Sequence, residues 1–355
     1  MSEKRYFKVY SKKHILGGLN KYNLLFDLLD RQLIESNQII ADSFSKNGFS
    51  PKYISADKNY LYNLILRCLN EYYHEHNLSL TIKNNLQSIE ILFHKGLYEE
   101  SLKLIAKTEK LIHKGEKYSL MLDLLEWKRI CSGYAFGLDR AQKVNLETGR
   151  YLDTIQNARS IIEVYYQTYQ ELIIHKKFDP QEETTLFGEK VGLSLEEAEQ
   201  FALSIQSKVF YHLRYAHYYN LHDQFEAEHI RHRRIIEIIK NSPAYQKENT
   251  MDCIALYNRL LAQSKYLDSS IFYKDLKALN ELDISGSFKP AVVKQRIFIH
   301  SNTNELAHLL INEDYSKAHS RAKTIEKEIE DFSYSIEPYY TIHLLYLFAE
   351  TALCV

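Results

Sequence analysis

Glycine and proline punctuate a chain more sharply than any other residues, and only 11 and five of them occur in 355 residues. Strand-rich folds reverse direction often and draw heavily on both. A chain this poor in them is built from long helices with few, short connections, and its apolar residues carry the matching period. In 55–76, SADKNYLYNLILRCLNEYYHEH, residues Leu61, Leu64, Ile65, Cys68 and Tyr72 share one helical face. Ser55 is placed to cap that helix and Ser79 to cap one over 80–94, because a serine oxygen accepts from the free N–H groups of a first turn. Ser194 and Glu197 have the spacing of a capping box. Pro243 follows Ser242, which suits the first helical position. No strand pair around a hairpin turn stands out.

The connections themselves repeat. HKGLYEES contains Gly96, Tyr98 and Ser101. Similar turns are HKKFDPQE with Phe178, LHDQFEAE with Phe225, QSKYLDSS with Tyr266 and Ser269, and NEDYSKAH with Tyr315 and Ala318. From Phe178 onward the aromatics are 47, 41 and 49 residues apart, and the 80 residues from Tyr98 to Phe178 leave room for a degenerate unit near GLDRAQK, 137–143. Pro243, Pro290 and Pro338 are 47 and 48 apart. A period in the forties means stacked helix pairs. The aromatic is expected to plug the gap between the two helices of a pair, and the small residue to let them approach.

GLYEES resembles the turn of the tetratricopeptide repeat, which typically reads Gly-x-Tyr-x-x-Ala; SKYLDSS and EDYSKAH follow it without the glycine, and DQFEAE and KKFDPQ keep mainly the aromatic. The resemblance covers roughly residues 80–350, in units longer than the usual ~34 residues. It implies an all-α fold: an α-solenoid of stacked antiparallel helix pairs over 81–355, after a small N-terminal helical region over 1–80. Gly96, Tyr98, Phe178, Phe225, Tyr266 and Tyr315 are then structural turn positions. The groove of such an array binds a protein or peptide ligand.

Residues 1–80 do not fit the repeat. NLLFDLLDRQLIESNQIIADSF reads as two short helices, followed by the loop SKNGFSPKYI and the helix from Ser55. This region carries 11 Lys+Arg against 8 Asp+Glu. One reading is a helical cap over the first repeat. The other is a DNA-binding helical region, with Lys58 and Asn59 near the start of its last helix, in a transcriptional regulator whose repeats sense a peptide. The alternation KRYFKVYSKKH over 4–14 is expected to be a solvated tail.

Across the whole chain, 45 Lys+Arg balance 46 Asp+Glu, which argues against a surface built throughout for nucleic acid or anionic lipid and leaves room for a local patch. Cys68, Cys131, Cys253 and Cys354 form no C-x-x-C pair and read as reduced, buried thiols. The charged opening MSEKRYFKVYSKKHILGG has no apolar core of a signal peptide, and no run reaches a membrane span. The expectation is a cytoplasmic protein with no membrane partner.

The chain holds no phosphate-binding glycine loop and no nucleophile elbow. E-x-x-H occurs at Glu71/His74, Glu226/His229 and Glu305/His308. Such pairs hold di-iron in helical bundles, but here they fall in separate units, so neither metal nor cofactor is expected. The densest polar stretch is SKVFYHLRYAHYYNLHDQFEAEHIRHRR, 207–234. Arg214, His217, Tyr218, Arg231, Arg233 and Arg234 are its candidate partner-binding residues, since tyrosine and arginine dominate interface hot spots. There the arginines would form a solvated face that matters little to folding. The apolar segment PYYTIHLLYLFAETALCV, 338–355, points to self-association through the C-terminal helix. The function expected is a non-enzymatic protein- or peptide-binding scaffold.

Overall fold

Pro243, Pro290 and Pro338 each occupy the first position of a helix in the computed structural model, where a missing N–H costs nothing. The structure describes residues 3–12, 20–30, 37–74, 77–175, 199–221, 224–284, 290–329 and 338–354. Among these residues there is no strand. Phe178 and the Ser194/Glu197 pair lie outside the described residues. The chain divides into two compact units, Met1–Asn85 and Leu86–Val355.

In the first unit, α1 (Glu3–Lys12), α2 (Lys21–Asp30) and α3 (Asn37–Lys46) pack with α4 (Ile54–Tyr73). Leu61, Leu64 and Cys68 of α4 are buried against Phe7, Leu25, Ile40 and Phe44. Residues 4–12 of the KRYFKVYSKKH segment are therefore part of a packed helix and not a solvated tail. Phe7 and Ser11 sit one turn apart on the buried face of α1, and Lys4 and Lys8 pair with Asp30 and Asp27 of α2. Both expected serine caps give way to other residues. The α4 helix starts at Ile54, behind a 3-10 turn over Pro51–Tyr53, so Ser55 is already inside it. Asn77, not Ser79, caps α5 (Leu78–His94), accepting from Leu80 N at 2.9 Å.

The second unit is a stack of helix pairs. From the end of α5 the chain runs through α6 (Tyr98–Gly115), α7 (Tyr118–Phe136) and α8 (Leu138–His175). Then follow α9 (Ile205–Leu221), α10 (Phe225–Lys240), the short α11 (Pro243–Glu248), α12 (Thr250–Ser264) and α13 (Ser269–Asn280). The last three are α14 (Pro290–Ile311), α15 (Tyr315–Ile329) and α16 (Pro338–Leu353). Within pairs α7 packs on α8, α9 on α10, α12 on α13 and α14 on α15. Between pairs α8 packs on α9, α10 on α12, α12 on α14 and α14 on α16. The α8 helix is 38 residues long, which accounts for the wide interval after Tyr98. Lys128 of α7 is shared between Glu109 of α6 at 3.2 Å and Glu147 of α8 at 2.9 Å. The main core gathers α9, α10, α12 and α13 around Ile239, Cys253, Tyr257, Leu261 and Phe272.

The turns between paired helices share a hydrogen-bond pattern. Leu97 N donates to Leu92 O at 3.0 Å, Gln224 N to Tyr219 O at 2.9 Å and Asp314 N to Leu309 O at 2.9 Å. These bonds end one helix as the next begins. Ser101 and Ala318, three residues into the second helix, are fully buried, as the close approach of two helices requires. Tyr98 and Tyr315 are half-buried at the turn. Phe225 and Tyr266 do not plug a gap: they are 48% and 61% exposed. At the first of these turns Glu228 takes the position of Ser101. At the second the register is three residues later than the sequence reading. Asp268 caps α13 by accepting from Ser270 N at 2.8 Å, so Ser269 holds the place of Tyr98. Phe272, which is 0% exposed, then holds the place of Ser101.

Candidate functional site

The stretch 207–234 spans the α9–α10 pair, and its arginines turn inward. Arg214 and Arg231 are buried, Arg233 and Arg234 half-buried. This corrects the expected solvated face, and the reason is a set of ion pairs and hydrogen bonds to residues distant in sequence. Arg234 grips Glu199 through Nε and Nη2, the latter at 3.1 Å. His212 Nε2 donates to the same carboxylate at 3.1 Å, and its Nδ1 accepts from Arg231 Nη1 at 3.3 Å. Arg231 lies over the rings of Tyr215 and Tyr219 at 4.7 and 5.8 Å, and Arg214 lies beside Tyr215 at 5.9 Å. Arg233 joins His229 Nε2 at 2.9 Å to Asp275 of α13 at 3.0 Å. Tyr218 is half-buried against Tyr219, with ring centroids 5.5 Å apart.

Burial keeps the histidines of this network neutral. Desolvation pushes His212 and His217 down to about 4, His229 to about 4 and His232 to about 3, with nearby arginines adding to each shift. Of the E-x-x-H pairs, Glu226 is exposed while His229 is engaged by Arg233, and Glu305 accepts from Arg321 while His308 Nδ1 bonds Lys265 O. Among the described residues no group of three metal-ligating side chains gathers. Among them too, no helix is long and apolar enough to cross a membrane.

Sequence reasoning missed two surfaces. The first is an aromatic cluster where the α5–α6 turn meets α7. Phe93 is ringed by Tyr98, Trp127 and Tyr134 at centroid distances of 5.4, 5.6 and 5.2 Å. Tyr134 and Phe136 are 67% and 60% exposed, and Leu138 beyond Gly137 is more exposed still. The signal was the apolar run at the α7–α8 turn, which lies outside the helical stripe.

The second is a cavity of about 740 Å³ between the α6–α7 turn, α8, the start of α9 and α11–α12. Tyr165, Tyr166 and Phe210 form a ring-lined wall, with Phe210 5.1 and 6.3 Å from the two tyrosines. Arg159 and Arg259 line the cavity, as do Glu116 and Asp252. Glu116 is already used: its carboxylate accepts from Ile205 N at 2.7 Å, and burial raises its pKa. Arg259 Nη1 donates to the neutral His217 at 3.0 Å, and its Nη2 reaches Tyr165 Oη at 3.5 Å. His217, picked from sequence for a surface role, thus lies behind the arginine of the cavity wall. No family model, curated protein or solved structure matches the chain.

Proposed function

We propose that the protein is a binding module of the helical-repeat kind, a TPR-like scaffold that holds a protein or peptide ligand and performs no chemistry on it. The observation that carries this reading is the aromatic cluster of Phe93, Tyr98, Trp127 and Tyr134, flanked by exposed Phe136 and Leu138. Exposed rings at a rigid helix turn supply large contact area at little conformational cost, and tryptophan and tyrosine are the residues most often found at hot spots. Trp127 is the chain's one tryptophan, and here it is half-buried against Phe93. The site is a cytoplasmic one on this reading: the four cysteines are free and three are buried, which suits a reducing compartment.

The test is a peptide-display selection on the full chain and on a Tyr134→Glu/Phe136→Glu variant. Peptides enriched on the wild type should bind the variant at least about tenfold more weakly, while the thermal midpoint stays within a few degrees. A selection that enriches no sequence family, or one whose peptides bind both proteins equally, removes the reading.

A further inference from the structure

The cavity beneath the α6–α7 turn is separate from the aromatic cluster and asks for a different ligand. Its volume, about 740 Å³, falls in the range of small-molecule sites, roughly 300–1,000 Å³. Its charges are unevenly spent. Glu116 is committed to the backbone of Ile205 at the start of α9, so the helix N-terminus is already occupied by a protein carboxylate. Lys117 faces Glu248 at 3.9 Å. Among the described residues the hydrogen-bond partners of Arg259 are neutral, His217 and the hydroxyl of Tyr165. Glu228, the carboxylate nearest in effect, is held by Asn220 at 2.9 Å and Gln263 at 2.8 Å instead. Arg159 is exposed on α8, and neither it nor Arg259 pairs with a carboxylate among the described residues. Against these two cations stands Asp252, exposed on the same wall.

From this we infer that the cavity is a binding site for a flat organic anion, a compact aromatic or conjugated molecule carrying a single carboxylate, sulfonate or phosphate group. The rings of Tyr165, Tyr166 and Phe210 take the flat body. Arg259 and Arg159 take the anionic group, in the forked geometry that suits a planar or tetrahedral anion. The two arginines form the cationic side of the cavity; of its two carboxylates, Glu116 is turned to the Ile205 amide and Asp252 is exposed. The backing of Arg259 by His217 and Tyr165 fixes its guanidinium before any ligand arrives, which lowers the entropic cost of binding.

The experiment is a dye titration on the full chain. The probe is 1-anilinonaphthalene-8-sulfonate, and its companion is N-phenyl-1-naphthylamine, the same ring system without the charge. The sulfonate should bind at one site and more tightly than the neutral dye. Arg259→Gln should weaken the sulfonate by about tenfold to a hundredfold, the scale of a charge-assisted hydrogen bond, and leave the neutral dye within about twofold. Arg159→Gln should act in the same direction. Because Arg159 is exposed, that variant keeps its fold whatever Arg259→Gln does. The Tyr134→Glu/Phe136→Glu variant should bind both dyes as the wild type does. Equal affinity for the two dyes, no effect of either arginine, or loss of the signal in the aromatic-cluster variant overturns the assignment. Inorganic phosphate alone should not compete at millimolar concentration; competition as strong as the dye's own affinity would mean a bare anion site and would also overturn it. The peptide selection reports on the other surface, so the two proposals fail separately.

Discussion

Gly96 and Glu313 hold the same left-handed conformation, φ 74° and 58°, each two residues before the aromatic that opens the next helix. In both turns the following amide reaches back to end the preceding helix, Leu97 N to Leu92 O and Asp314 N to Leu309 O. Only glycine adopts this backbone without strain; a side chain there costs about 1–2 kcal/mol. A Cβ at Gly96 would meet nothing within 4 Å, so the cost of filling it is conformational alone.

Two substitutions should therefore move stability in opposite directions. Gly96→Ala should destabilise by about 1 kcal/mol and Glu313→Gly should stabilise by up to about 1 kcal/mol. Urea unfolding of the three proteins measures both shifts. If Glu313→Gly loses stability, the strain at that turn is compensated by something the backbone geometry does not reveal.

The register of the α12–α13 turn gives a second prediction. Phe272→Ala should cost about 3–5 kcal/mol, the range for deleting a buried aromatic. Tyr266→Ala, which removes an exposed ring, should cost less than about 1 kcal/mol. Thermal melts of the two variants, side by side, decide it. The reverse order would restore the register in which Tyr266 plugs the pair.

Much of the architecture could be read from residues that act locally. Three prolines mark helix starts because a proline's preference is set by its own ring and its missing N–H. Gly96 with Ser101 marks a turn because both requirements lie within six residues. Legibility fails where a partner is distant. LDSS can be aligned on Tyr266 or on the cap Asp268, and only the burial of Phe272 chooses between them. Glu228 occupies a small-residue position because Asn220 and Gln263 satisfy its carboxylate, which no local pattern announces. The basic run 231–234 looks solvated until Glu199 and Asp275 are placed beside it. The cavity is assembled from four segments. Its one faint signal is Arg259, which shares the otherwise uncharged α12 with Asp252 alone.

The inward arginines give a third prediction. Arg231→Glu places a carboxylate at a position 7% exposed, between two tyrosine rings and His212. It should cost about 3–5 kcal/mol, as an unpaired buried charge does. Arg231→Leu keeps an apolar stem and loses only the ring contacts and one hydrogen bond, about 1–2 kcal/mol. Chemical denaturation separates them, and similar small losses for both would put Arg231 in water.

The last prediction concerns acid. His212, His217, His229 and His232 have folded-state pKa values near 4, 4, 4 and 3, against 6.5 when free. Above pH 6.5 both folded and unfolded chains hold them neutral, and their contribution to stability is complete. As pH falls below that value the unfolded chain takes up protons that the folded chain refuses, so stability drops. The loss continues until the folded pKa values are reached and then levels off. At pH 5 a shift of this size removes roughly 2 kcal/mol for each deeply buried histidine, less for the partly exposed His217. Burial raises the pKa values of Glu116, Glu228 and Asp275, and these act in the opposite sense, offsetting part of the loss at the acid end. The unfolding free energy from urea titrations should accordingly stay level between pH 8 and 7 and fall steeply from about pH 6.5 to 5, by several kcal/mol in total, with the midpoint falling in parallel. His212→Gln can still accept from Arg231 and donate to Glu199 while carrying no titratable proton, so it should make that fall shallower. A midpoint unchanged between pH 7 and 5 in the wild type would mean that these rings are hydrated and that the network between α9, α10 and α12 is not closed to water.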